Sequence, residues 1–193
     1  SILTMILADG TMGQMMEPVE LETTEPVKYE KPWATTGTKM QRKHNIVNSL
    51  YLKPEELEKK NFERFAKYKT IEENEVMYEE YLMDDAEICV VSFGITSRVA
   101  KNAIVEARAK GIKVGMIRPI TLWPFPTEVL NKAADKCKAF ISVEMNMGQM
   151  IEDVKLAIEC KKPVELCCRV GGMIPSPEEV LEKIEEVNKG GER

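Results

Sequence analysis

"EICVVSFGITSRVAKNAIVEARAKGIKVGMIRP" (residues 87–119) opens on a β-branched run, passes through an alanine-rich stretch ended by Gly111, and returns to a second β-branched run. In the middle, Val99, Ala100, Ala103, Ile104 and Ala107 recur at helical spacing and make one apolar stripe. Ser97 is placed to cap the start and Gly111 to end the helix. Two short apolar strands joined by one helix form a β-α-β unit, and the crossover between parallel strands in one sheet is almost always right-handed.

The same unit repeats to the C-terminus. Strand-like runs occur at 87–93, 112–118, 139–144 and 164–170, with starts about 25 residues apart, the length of a strand plus a returning helix. In "PTEVLNKAADKCKA", Val129, Leu130, Ala133 and Cys137 form a second stripe. "SPEEVLEKIEEV" begins with Ser176, Pro177 and Glu179, the pattern of a capping box. The spacing predicts an open parallel α/β sheet with helices on both faces over residues 85–193. The apolar stripes are read as core.

Upstream the order differs. Residues 1–33 read as a strand and helix start left from a preceding α/β domain, and 34–84 as a Pro/Thr-rich connector leading into one or two charged helices with a narrow aromatic edge. The chain opens in mid-strand without an initiator Met, so it reads as a piece of something larger. The octapeptide "MGQMMEPV" (12–19) recurs as "MGQMIEDV" (147–154), each copy after an apolar run. Either one strand-to-helix solution is used twice by chance, or both mark surfaces facing a neighbour, with Gly13 or Gly148 allowing close approach and Gln14 or Gln149 bonding across.

Composition narrows the function. The chain has 193 residues, 44% hydrophobic and 31% charged, with net charge -5. Apart from the short "KMQRKH" (39–44) no Lys/Arg cluster stands out, which argues weakly against nucleic acid as the main partner. No run reaches the length of a membrane span, so no membrane association is expected. The five cysteines form no C-x-x-C pair, and Cys167 and Cys168 point to opposite faces of a strand, which suits buried thiols in a reducing cytoplasm better than metal ligation. With His44 the only histidine, a catalytic histidine pair on this chain is ruled out.

Candidate chemistry belongs at the carboxyl ends of the strands, where helix N-termini offer N–H groups. Gly94, Thr96 and Ser97 can cradle an anion or simply cap a helix. Arg118 and Trp123 lie in the proline-stiffened "RPITLWPFP" loop, read as a subunit contact. Glu144 can accept backbone N–H bonds and stay ionised, or act on a ligand as base or anchor; Asn146 follows it in the same loop. Gly171–Gly172 marks a tight turn or a close approach.

The strings "VSFGITSRVAKNAIVEARAKGIKVGMIRPITLWPFP", "ISVEMNMGQMIEDVKLAI" and "VGGMIPSPEEVLEKI" resemble the second domain of the alpha subunit of 2-oxoacid:ferredoxin oxidoreductases, and most nearly that of the 2-ketoisovalerate (3-methyl-2-oxobutanoate) enzymes. "LADGTMGQMMEPVE" is similar to the end of the preceding pyrimidine-binding domain. The resemblance implies a transketolase C-terminal-like domain that builds subunit interfaces. It also implies oxidative decarboxylation of a 2-oxoacid to an acyl-CoA with ferredoxin reduction, in a cytoplasmic oligomer. Thiamine diphosphate and Mg are then expected in the assembled enzyme and iron-sulfur clusters on partner subunits. None is expected on this fragment alone, which would be inactive by itself. A non-catalytic interaction module on the same sheet is the competing reading, and a beta-subunit-like piece of another thiamine-dependent dehydrogenase is a third.

Overall fold

The β-branched runs form the strands the spacing predicts. In the computed structural model, which describes residues 4–8, 10–16, 18, 20 and 29–190, the chain divides into two units, 1–67 and 68–193. The second holds β2 (Ile88–Val91), β3 (Val114–Pro119), β4 (Ala139–Glu144) and β5 (Val164–Cys168). β2 pairs in parallel with β3 and β4, and β4 with β5. Every residue of β2 and β4 is buried. That explains their continuous apolar sequences, since a central parallel strand is covered on both faces.

Helices α2 (Gly94–Ala109) and α5 (Pro177–Gly190) cover one face, packing Ala100, Ala103, Ile104, Val180 and Ile184 on Ile88, Val90, Met116 and Ile141. Helices α3 (Thr127–Lys136) and α4 (Met150–Ala157) cover the other, packing Leu130, Ala133, Met150 and Val154 on Cys89, Val91, Ile117 and Phe140. Gly111 ends α2 in a left-handed conformation, φ 82, with the Ile112 N–H returning to Ala107 O at 3.1 Å.

The capping box at α5 is present in full. Ser176 N–H donates to Glu179 Oε2 at 2.9 Å, and Glu179 N–H donates to Ser176 Oγ at 3.3 Å. Ser176→Ala therefore removes one of the two reciprocal bonds, and urea unfolding of the variant should show a loss of about 1 kcal/mol.

One expectation is corrected. The charged stretch is one helix, α1 (Pro54–Asn74), the first of the two alternatives, but it stops short of Tyr78 and Tyr81. Tyr78–Tyr81, read as helical, is the edge strand β1, antiparallel to β3, so the sheet order is β1-β3-β2-β4-β5. Its side chains alternate: Tyr78 and Glu80 are exposed, whereas Glu79 and Tyr81 turn inward, Glu79 to Lys101 and Arg118. Pairing to the free edge of β3 and Tyr81 packing outweigh the local helical pattern.

The strand expected near the N-terminus is absent from residues 4–8, and Met12–Gln14 is a single 3-10 turn. The rest of that expectation lies outside the described residues. No described residue up to 67 is buried.

Candidate functional site

Adjacent strands β2 and β4 send their chains to opposite faces of the sheet, β2 to α2 and β4 to α4. The crevice beyond their carboxyl ends is therefore the topological switch point, where open α/β sheets place ligands. Gly94, Thr96 and Ser97 stand on its β2 side, and Glu144, Asn146, Gly148 and Gln149 on its β4 side.

The chain fills this crevice with its own groups. Glu144 is 2% exposed. Its Oε2 accepts from the N–H groups of Gln149 and Met150, and its Oε1 from the N–H of Ile151, each at 2.9 Å, and from the Ser142 hydroxyl at 2.8 Å. Asn146 Oδ1 accepts from Gly148 and Gln149 N–H at 2.8 and 3.0 Å. Burial raises the Glu144 pKa, but the Gln149, Ser142, Met150 and Ile151 donors together outweigh it and hold the carboxyl below its ordinary 4.5. Thus the positive end of α4 is met by an internal carboxylate, the structural alternative of the two read from sequence. Gly148 is required on two counts. Its φ is 100, and an added Cβ would stand 3.1 Å from Ile151 Cγ2 and 3.2 Å from Leu166 Cδ2.

On the β2 side the hydroxyls are also engaged. Thr96 donates to Phe93 O at 2.8 Å and Ser97 to Gly94 O at 2.7 Å. Ser97 lies inside the first turn of α2, and Phe93 holds the cap position, which corrects the reading of Ser97 as the cap. Ser92, buried at the end of β2, stands 2.8 Å from Thr96 Oγ1 and 3.2 Å from Val143 O, tying α2 to β4. Sequence reasoning missed Ser92 and Ser142. The signal was a lone hydroxyl in an apolar strand run, after the last residue of β2 for Ser92 and inside β4 for Ser142.

Arg118, in β3, and Trp123, in the loop after it, do not join the crevice cluster. Arg118 Nη1 donates to Glu79 Oε2 at 3.0 Å, and Lys101 Nζ reaches Glu79 Oε1 at 2.6 Å. Hydrogen bonds from Lys101 first and Arg118 second hold the Glu79 carboxyl below its ordinary range. Trp123 is 53% exposed and meets the Tyr68 ring edge-on, centroids 5.4 Å apart. Gly13 and Gln14 lie in the other unit, on the short turn, and nothing stands within 4 Å of a Cβ placed on Gly13. In its copy of the octapeptide the residue matching Glu144 is Asp9, outside the described residues. Gly171 and Gly172 both have positive φ and open space around them, so they serve a turn.

Beyond the crevice the loops end in exposed apolar groups: Ile120, Leu122, Trp123, Met147, Val170 and Met173. The Gln149 side chain is exposed among them. No group of three His, Cys, Asp or Glu among the described residues can hold a metal ion. With α4 closed by Glu144 and the α2 hydroxyls bonded to carbonyls, the described residues do not fit a diphosphate–Mg unit. No described helix is long and apolar enough to cross a membrane.

This topology defines a doubly wound α/β domain. Residues 86–180 match the family described as pyruvate:ferredoxin oxidoreductase core domain II. It is 49% identical over 183 residues to ketoisovalerate oxidoreductase subunit VorB of Methanothermobacter marburgensis, covering 94% of this chain and 51% of that one. The chain thus spans about half the length of the curated relatives it matches. In fold it is similar to the 2-oxoglutarate:ferredoxin oxidoreductase of Magnetococcus marinus, at TM-score 0.58 and 21% identity over 77% of this chain and 26% of that one. A split-gene transketolase, described as an inactive β4 tetramer, matches at TM-score 0.50 and 18% identity over 57% of this chain and 40% of that one.

Proposed function

We propose that this chain is part of the alpha subunit of a thiamine diphosphate-dependent 2-oxoacid:ferredoxin oxidoreductase acting on a branched-chain 2-oxoacid, and that its second unit serves assembly. The observation that carries the reading is the 49% identity to a ketoisovalerate oxidoreductase subunit across 94% of the chain. The site supports it from the other direction. An edge whose helix N-terminus, carboxylate and hydroxyls are satisfied internally has no group free for acid–base work, while its apolar rim suits burial against another polypeptide.

Thiamine diphosphate supplies the carbanion chemistry when bound, and other parts of the assembly would hold it with Mg; the iron-sulfur clusters belong to partner subunits. Coenzyme A and ferredoxin are reached through the complex, in the cytoplasm. Within this chain Glu144, Asn146 and Gly148 fix the α4 loop, Gly94, Thr96 and Ser97 fix the start of α2, and Arg118 anchors β1. Trp123 and Gln149 face outward for a neighbour. Gly13 and Gln14 are assigned to a contact by the octapeptide parallel alone.

Co-expression with the neighbouring subunits, followed by ferredoxin or viologen reduction with coenzyme A, tests this. 2-Ketoisovalerate should give a higher kcat/KM than pyruvate or 2-oxoglutarate. A purified complex that reduces no acceptor with any of the three acids sinks the reading.

A further inference from the structure

The short cationic stretch "KMQRKH" (39–44) plays no part in the function proposed above. The backbone builds it into a display loop. Asn45 Nδ2 closes the base by donating to Pro32 O at 2.6 Å and Ala34 O at 2.9 Å. Arg42 braces the interior by donating to Thr36 O and Thr36 Oγ1 at 3.3 and 3.2 Å. At the tip, Lys39 and Met40 are both left-handed, φ 48 and 62, and Met40 is 95% exposed. Two consecutive non-glycine residues held this way cost of order 1 kcal/mol each, and such strain clusters where a loop binds. Lys39 and Lys43 form no ion pair among the described residues.

A groove of opposite character lies in the second unit. Its volume is about 910 Å³. Val76, Tyr78, Trp123 and Phe125 supply its apolar lining, and four carboxylates, of Glu72, Glu73, Glu80 and Glu128, stand against one lysine. That lysine, Lys132, is bound to Glu128 at 2.6 Å, whereas Glu72, Glu73 and Glu80 have no ion-pair partner among the described residues.

We propose that the 32–45 loop of one copy seats in this groove of a second copy, Met40 entering against Trp123 and Tyr78 and Lys39 and Lys43 facing Glu72, Glu73 and Glu80. Met sulfur against aromatic rings is a favourable contact. Charge decides the occupant. Lys39 and Lys43, with no ion pair among the described residues, meet three carboxylates that likewise have none, so a second copy of this chain presents the complementary charge on either side of the contact.

Sedimentation velocity on the full chain tests this with three variants: K39E/K43E, E72K/E73K and the four combined. All four side chains are exposed, so folding, checked by circular dichroism, should be retained. A dimer is expected, weakened about tenfold or more by either pair of reversals and restored to within about threefold by combining them. Met40→Ser, which leaves charge alone, should weaken it too. A chain that stays monomeric, a dimer indifferent to both reversals, or one that the combined variant fails to restore each overturns the pairing.

Discussion

Glu144→Gln should lower the unfolding free energy by about 2–3 kcal/mol, the cost of losing hydrogen bonds to a buried charged acceptor and leaving donors unsatisfied. The two side chains have nearly the same volume, so no cavity contributes. The loss is in hydrogen bonding alone. Each carboxylate oxygen now accepts from two donors, Oε2 from Gln149 and Met150 and Oε1 from Ser142 and Ile151. An amide turns one of those oxygens into a donor pointing at two others, and the first turn of α4 loses its anchor. A fall in Tm of about 6–15 °C is expected for a domain of this size. A change below about 1 kcal/mol would mean that water replaces the carboxylate without loss.

The same residue sets a pH dependence. Its folded pKa is lowered, so the unfolded state takes up the proton more readily, and the stabilisation is present above the ordinary 4.5 and lost as pH falls through the folded value. The difference between the native chain and Glu144→Gln should be flat from neutral pH to about pH 5 and should shrink on further acidification. A difference that grew in acid would contradict the direction of the shift.

Why Glu144 was visible in the sequence, while its role was not, is a matter of which contacts are local. A carboxylate at the end of "AFISVE" before a glycine-containing helix start is a local pattern, but whether its oxygens meet backbone or ligand depends on how the loop closes. The four parallel strands were legible for the same local reason: continuous β-branched runs separated by stripes at helical spacing. β1 was not. "YEEY" holds two aromatics three apart, which satisfies a helix as well as a strand, and only the vacant edge of β3 decides between them. Ser97 looked like a cap because helices favour serine there, yet α2 begins three residues earlier and the hydroxyl bonds back to Gly94 O. Least visible of all was Gly115, one small residue inside an apolar run.

Gly115→Ala should cost about 2–3 kcal/mol, as overpacking of a filled core does, and should release β1 before the rest of the sheet. A Cβ on Gly115 would lie 2.5 Å from Leu82 O, 2.9 Å from Leu82 C and 2.7 Å from Met83 Sδ. The nearest obstacle is backbone, so rotating a side chain does not relieve it. Nor is that backbone free to lift. Leu82 is left-handed at φ 53, and Arg108 holds it from below: Nη2 donates to Leu82 O and Asp85 Oδ1, and Nε to Val114 O, all at 2.7 Å. Moving the strap means breaking those bonds, and because Leu82 follows Tyr81 directly, the β1–β3 register goes with it. Amide exchange at Tyr78–Tyr81 should therefore accelerate more than at Ile88–Val91. A second substitution separates the two obstacles. Met83→Ala in the Gly115→Ala background clears the sulfur and leaves the carbonyl, so it should recover only a minor part of the loss. Full recovery would place the clash on the side chain and detach β1 from the explanation. If the backbone is the obstacle, Glu79 loses its place beside Arg118 and the groove loses its Tyr78 and Glu80 wall. The variant should then dimerise less tightly even where it remains folded.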